Sequence, residues 1–293
     1  MPLNKHFAIE SIASTHILYT MTCNFKIIPC RKIFFFVRPF LSSLLSFYLL
    51  LVIIELDRGK VVLVHDDPAP PGCIRGMVNA SNDCSKTFFE LATEIGTDKV
   101  TDHSYQHAYE FYLPSLRHKP VKMLEIGLGC NMRYGPGKSL DLWDRYYTHP
   151  NSSIFFIEYD EECAKKWNQA HARVVVDAGD QANVPFLNGF LQHHGCDFDV
   201  IIDDGGHTMV QQITSFQNLF LSLKSGGLYF LEDLQTSYMH GYGGGYLRGG
   251  TTIEYIKAMI DGFYGHGVGP AIDIVGYIQS INCFTEICVF TKK

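Results

Sequence analysis

The sequence predicts an α/β fold, a mostly parallel sheet with helices packed on both faces. Three observations predict it. From about residue 85, segments of helical apolar spacing alternate with short apolar runs of strand length. The runs are separated by a helix's worth of chain, which suits right-handed crossovers and not hairpins. The exits of the first five runs carry acids: Glu125, Glu158, Asp180, Asp203 with Asp204, and Glu232 with Asp233. In a parallel sheet ligands sit beyond the carboxyl ends of the strands, so acids at every exit mark a ligand crevice.

Taken in order, residues 1–60 form a tail unlike the rest. Residues 33–56, IFFFVRPFLSSLLSFYLLLVIIEL, are almost wholly apolar, and Phe40 to Ile54 carries no charge. That core is short of the roughly 20 residues that span a bilayer, but Ile33 to Val37 lengthens it if Arg38 snorkels. An N-terminal hydrophobic helix acting as a single-pass membrane anchor is the expectation. Lys26, Arg31, Lys32 and Arg38 precede or enter the segment, whereas Glu55, Asp57, Arg58 and Lys60 follow it without net charge. The positive-inside bias then puts the N-terminus in the cytosol and the main domain across the membrane. The segment lies late for a cleaved signal peptide, and no A-x-A-like site follows it. The other reading is an upstream extension that never meets a membrane, with a cytoplasmic protein starting near Met77. Residues 61–84, with the proline-rich HDDPAPPGC, read as a linker, and 85–293 as the domain.

Within the domain, SKTFFELATEIG is a helix ending on Gly96, and HSYQHAYEFYLPSL is a second. VKMLEIGLGC is a strand breaking into glycines, followed by the helix KSLDLWDRYY. SSIFFIEYD, ARVVVDAGD and FDVIIDD are strands, separated by the helices EECAKKWNQAH and VPFLNGFLQHH. The helix TMVQQITSFQNLFLSL leads to the strand GGLYFLEDL. After a glycine-rich stretch, TTIEYIKAMIDGFY is helical, and the chain ends in β-rich pieces around IVGYIQSI and EICVFTKK. The tyrosines of HSYQHAYEFY are candidates for lining an acceptor pocket, but at helical spacing most read as core. HGYGGGYLRGGTT (240–252) reads as either a lid over an acceptor or a plain surface loop.

A net charge of −6 argues against a nucleic-acid partner, which demands a basic face. The nine cysteines show no CxxC pair, and their odd, scattered set suits free core thiols better than a disulfide framework. Cys73 and Cys84 are close enough to pair if that region is lumenal. Asn79-Ala-Ser81 and Asn151-Ser-Ser153 are N-x-S triplets, compatible with a lumenal domain.

The first exit, LEIGLG, has the pattern E-x-G-x-G (Glu125, Gly127, Gly129) without the third glycine of a dinucleotide fingerprint. Alone it reads equally well as an ordinary strand-to-helix turn. One strand later, Glu158 is placed to accept both hydroxyls of a ribose. Asp180 and Gln181, in GDQ, stand where an adenine amino group is recognised. Ribose recognition without a phosphate loop points to an adenosine ligand lacking pyrophosphate, S-adenosylmethionine. Asp203 is assigned to the same side.

GTDK (96–99), LEIGLGCNMRYGPGKSL, GDQ, FDVIIDDGGH, LKSGGLYFLEDLQTSY and the later GGG together resemble the class I S-adenosylmethionine-dependent methyltransferases. The likeness is strongest to the metal-dependent sugar O-methyltransferases of the macrocin and mycinamicin type. It covers roughly residues 85 to 291. It implies a Rossmann-like sheet of seven strands with the last inserted antiparallel. It also implies that the loop around Thr97 and the helix start near Ser139 touch the cofactor, and that Asp204, Glu232 and Asp233 match the metal ligands.

The residues support that chemistry independently. Three carboxylates on neighbouring strand ends repel unless a cation neutralises them, and Mg²⁺ prefers oxygen ligands with open positions for acceptor hydroxyls. His207, at the start of the next helix, is placed to take the proton from a bound hydroxyl. The expected activity is Mg²⁺-assisted O-methylation of a small-molecule sugar or polyol hydroxyl. Two alternatives stay open: a membrane-anchored binding or scaffold protein without turnover, and a metal-dependent hydroxylase-like relative, against which the missing two-histidine, one-carboxylate triad weighs.

Overall fold

The computed structural model describes residues 83, 85–168 and 174–293. Among them the chain forms α1 (Phe88–Ile95), α2 (Asp98–Thr101), α3 (Gln106–Tyr112), β1 (Lys122–Ile126), α4 (Lys138–Tyr146), β2 (Ser153–Glu158), α5 (Glu161–Asn168) and β3 (Val174–Ala178). There follow α6 (Val184–His194), β4 (Phe198–Asp203), α7 (Met209–Leu219), β5 (Leu223–Leu231), α8 (Thr252–Phe263), α9 (Pro270–Val275), β6 (Ile278–Cys283) and β7 (Cys288–Lys292). The apolar segment 33–56, the linker 61–82 and Cys73 with Cys84 lie outside the described residues. Among the described residues no helix is long and apolar enough to cross a membrane.

The seven strands make one sheet in the order β3-β2-β1-β4-β5-β7-β6. Neighbours among β1 to β5 are parallel, and β7 runs antiparallel to both β5 and β6. The predicted seven-stranded sheet with an inverted last strand is therefore observed. The chain winds outward from β1 in one direction and from β4 in the other. The exits of these two adjacent strands flank the switch point where open α/β sheets bind ligands.

Strand alternation feeds two cores. On β4, Val200 and Ile202 join Phe88, Leu91, Tyr109 and Trp143 from α1, α3 and α4 on one face. Ile201 joins Leu187, Phe216, Leu219, Ile256 and Met259 from α6, α7 and α8 on the other. A strand buried on both faces must be apolar throughout, and that continuity made FDVIID legible as a strand. The local signals also hold at α1. Thr87 and Glu90 close a capping box at its start, and Gly96 ends it in the left-handed conformation.

Two elements differ from the sequence reading. IVGYIQSI is not all strand: Ile274 and Val275 finish α9, where Ala271, Ile274 and Val275 are buried at helical spacing after Pro270 at the first position. HSYQHAYEFYLPSL is helical only over Gln106–Tyr112, because the preceding turn is pinned by Tyr105 N–H donating to the Lys99 carbonyl at 3.0 Å.

The described cysteines are not free thiols. Each of the five described, Cys130, Cys163, Cys196, Cys283 and Cys288, is disulfide-bonded. Cys130 pairs with Cys163, and Cys283 with Cys288. Spacing could not show the first pair. It forms because β1 and β2 are neighbours, which brings the loop after β1 against α5. Such bonds persist in oxidising compartments. Cys130–Cys163 closes a loop with a sequence separation of 33. The Cys130→Ser/Cys163→Ser double variant should therefore lose roughly 4 kcal/mol of unfolding free energy by the loop-entropy model. Chemical denaturation of both proteins checks this, and equal midpoints would show that the bond contributes nothing.

Candidate active site

The site is built where β1 and β4 end. Asp204 N–H donates to the Ile126 carbonyl at 3.0 Å, drawing the two exits together. A Cβ at Gly127, whose φ is +99°, would lie 2.1 Å from the Asp204 carbonyl oxygen. Only glycine permits that approach, so the first glycine of E-x-G-x-G is a packing requirement. The next strand fixes the loop: the Glu158 carboxylate accepts from Leu128 N–H at 3.0 Å and from Asp160 N–H at 2.9 Å. Two non-glycine residues at the rim, His207 and Asp233, are left-handed, with φ of +55° and +56°. Such backbone costs free energy and is held by its surroundings. Thr236 Oγ1 donates to the His207 carbonyl at 3.1 Å, and Asp233 N–H donates to the Tyr105 hydroxyl at 3.1 Å.

Above these exits opens a cavity of about 720 Å³, a size that suits a small-molecule ligand. The predicted cofactor residues Thr97, Gly127, Gly129, Ser139, Glu158, Asp180 and Gln181 all line it, as do Asp204, His207 and Asp233. Tyr242, from the glycine-rich stretch, lines it too, with its ring 6.4 Å from that of His207.

Three predicted site residues are not on the cavity wall. Glu125, Asp203 and Glu232 are at most 1 % exposed and form a layer beneath it. Asp203, expected on the cofactor side, instead accepts hydrogen bonds from Gln181 Nε2 at 2.9 Å, Tyr229 OH at 3.0 Å and Ser215. Its reach to the cofactor region is indirect, since Gln181 Oε1 accepts from Gly206 N–H at 2.7 Å. Burial pushes the Asp203 carboxyl up to about 6, against the pull of those three donors. Glu125 accepts from Trp143 Nε1 at 2.7 Å, and burial pushes it up to about 7 against the Lys99 charge. Glu232 accepts from the Tyr109 hydroxyl and from Lys99 Nζ, the latter at 2.7 Å. Burial and the Asp204 charge hold its pKa well above the usual carboxylate range.

The structure thus does not gather Asp204, Glu232 and Asp233 as one open set. It gathers Asp204, His207 and Asp233, whose ligand atoms lie within 4.8 Å of one another. His207 Nε2 is 3.5 Å from Asp233 Oδ2, and its buried Nδ1 has no hydrogen-bond partner. The two carboxylates offer the oxygen ligands that a divalent cation of the Mg²⁺ or Mn²⁺ kind prefers, with the His207 imidazole beside them.

Sequence reasoning missed two residues. Lys99 belongs to GTDK, of which only Thr97 was assigned a role; a lysine in a first helical turn reads as solvated until its burial is seen. Its Nζ lies 2.6 Å from Asp204 Oδ2, 2.7 Å from Glu232 Oε2 and 3.1 Å from Glu125 Oε1. Burial alone would lower its pKa, but the charges of Asp204 and Glu232 carry it well above the usual value. His103 lines the cavity with Nδ1 2.9 Å from Glu286 and Nε2 3.7 Å from Asp233. The tyrosines read as core have buried rings, yet the hydroxyls of Tyr105 and Tyr109 serve the site.

No family model matches the chain. It is 35% identical over 221 residues to the 8-demethyl-8-(2-methoxy-alpha-L-rhamnosyl)-tetracenomycin-C 3'-O-methyltransferase of Streptomyces olivaceus, covering 71% of this chain and 55% of that protein. It is 32% identical over 178 residues to the mycinamicin VI 2''-O-methyltransferase of Micromonospora griseorubida, covering 59% and 43%. A crystal structure of the MycE methyltransferase from the mycinamycin biosynthetic pathway, in complex with Mg and SAH, superposes with a TM-score of 0.62 at 27% identity, covering 71% of this chain and 55% of that one. The chain is a class I methyltransferase in fold and resembles the sugar O-methyltransferases. It spans about half the length of the relatives it matches.

The buried layer makes one testable statement about pH. The folded Asp203 carboxyl, raised to about 6 from 3.8, holds its proton more tightly than the unfolded chain does. Its contribution to stability is complete below about pH 4 and is lost as pH rises through about 6, a loss on the order of 3 kcal/mol. Asp203→Asn should flatten that part of the stability profile in denaturant titrations from pH 4 to 7. Parallel wild-type and variant slopes would refute the assignment.

Proposed function

We propose that the domain is an S-adenosylmethionine-dependent, divalent-cation-assisted O-methyltransferase acting on a sugar or polyol hydroxyl. The observation that carries this reading is one cavity whose wall holds Glu158 and Gln181 at one end and Asp204, His207 and Asp233 at the other. An adenosine ligand with its ribose at Glu158 and its base near Asp180 and Gln181 directs its sulfonium toward the acids. The relatives named above, O-methyltransferases by their names, one of them on a rhamnosyl compound, and the Mg and SAH of the MycE complex support the same reading.

In the reaction the acceptor oxygen forms a bond to the sulfonium methyl carbon as the carbon–sulfur bond breaks, leaving a neutral thioether and releasing one proton. A divalent cation held there would supply Lewis-acid polarisation of the acceptor hydroxyl. Asp204 and Asp233 are the residues that would hold that cation, with Glu232 behind them. His207 takes the proton, its ring kept at the rim by the left-handed backbone and the Thr236 contact. Tyr242, beside His207 on the same wall, would help shield the transferring methyl from water.

Calorimetric titration of the full chain with S-adenosylmethionine, with and without Mg²⁺, tests the proposal. Cofactor binding followed by methyl transfer to a glycoside is expected; absence of cofactor binding removes the methyltransferase reading, and binding without turnover on any polyol favours a scaffold. Glu158→Ala should weaken S-adenosylhomocysteine binding by roughly 1–3 kcal/mol, and an unchanged dissociation constant would refute the ribose contact. His207→Ala should keep Mn²⁺ and cofactor affinity while losing most turnover, by about 10²–10⁴-fold. A collapse of Mn²⁺ affinity instead would make His207 a metal ligand and not the base.

A further inference from the structure

We propose that Lys99 is a positioning residue for the reaction centre: its ammonium ties the Asp204 carboxylate to the buried Glu232, so that a divalent cation meets Asp204 already in place. The inference rests on the cation-assisted reading of the cavity and deepens it.

The geometry is that of a fixed internal cation. Lys99 is 1 % exposed; its ammonium donates to Asp204 at 2.6 Å and to Glu232 at 2.7 Å, and forms an ion pair with Glu125 at 3.1 Å. These acids come from the exits of β1, β4 and β5, so one ammonium ties three adjacent strand ends together. The backbone of Lys99 is held from both sides. Its N–H donates to Thr97 Oγ1 at 3.5 Å, and its carbonyl accepts from Tyr105 N–H at 3.0 Å. Of the three acids only Asp204 faces the cavity, with a side chain 23 % exposed. Among the described residues Lys99 is the only side chain that hydrogen-bonds the Asp204 carboxylate. Remove the ammonium, and three neighbouring carboxylates have no shared donor and repel. Asp204 is then the one free to turn away, since Glu125 keeps Trp143 and Glu232 keeps Tyr109. Lys99 does not line the cavity, so it acts through Asp204 and touches neither cofactor nor acceptor.

The test is Mn²⁺ binding to the full chain, followed by electron paramagnetic resonance of the free ion, with S-adenosylhomocysteine affinity measured in parallel. Lys99→Met keeps the length and the apolar stem. It is expected to weaken Mn²⁺ about tenfold or more while S-adenosylhomocysteine affinity stays within about threefold. A purely structural role would move both affinities together. Comparing Glu232→Gln with Lys99→Met/Glu232→Gln repeats the question with one buried acid fewer, a background that tolerates loss of the ammonium. Weaker Mn²⁺ binding in the double variant is expected there. Equal Mn²⁺ affinity with and without Lys99 in either pair, or parallel loss of both ligands, overturns the proposal. A wild-type chain that binds no Mn²⁺ overturns the cation reading together with it, and is told apart because the wild-type protein itself fails.

Discussion

Too many carboxylates and too little positive charge at three adjacent strand ends: that imbalance governs the whole site. Glu125, Asp204 and Glu232 surround a single ammonium, and Asp233 adds a fourth acid at the rim. Burying acids is costly unless they are paired or protonated. Lys99 compensates the deep side. On the cavity side Asp204 shares that ammonium and Asp233 has no lysine or arginine beside it among the described residues, so under the proposed function a dication and a sulfonium supply the missing charge. The raised pKa values of Glu125 and Glu232 express the same strain, with burial as the leading cause in both.

The scaffold that tolerates this is stiff. The sheet is buried on both faces, so its strand ends cannot splay, and Gly127 lets β1 and β4 touch at the point of highest charge. Strained backbone at His207 and Asp233 stands at the same rim. Strain in groups that face a ligand cavity is in keeping with a preorganised site. The hairpin of β6 and β7 also reaches it, since Glu286 at its turn holds His103. The antiparallel last strand therefore completes both the sheet and the wall of the site.

Much of this was legible in the sequence. The strand-and-helix alternation and the acids at the exits foretold the sheet and its crevice, because period and apolar continuity are local properties. Glu158, Gln181, Asp204, His207 and Asp233 reach the cavity because strand ends in a parallel sheet point one way, whereas Thr97 and Ser139 were expected only from the family resemblance. What stayed hidden depends on contacts between distant segments. Asp203 and Asp204 are adjacent in the chain but face opposite ways, and alternation alone did not say which side was wet. Glu232 looked like an open ligand until Tyr109 and Lys99 were seen to take its oxygens. The Cys130–Cys163 bond needed the β1–β2 pairing, and Lys99 needed its burial.

The most direct measurement is anomalous diffraction from crystals of the full chain grown with Mn²⁺ and S-adenosylhomocysteine. The account predicts one Mn²⁺ peak in the cavity, at about 2–2.5 Å from carboxylate oxygens of Asp204 and Asp233. Lys99 Nζ should remain on Asp204 and Glu232 beneath it. A cavity without a peak, or a peak that touches neither carboxylate, would contradict it.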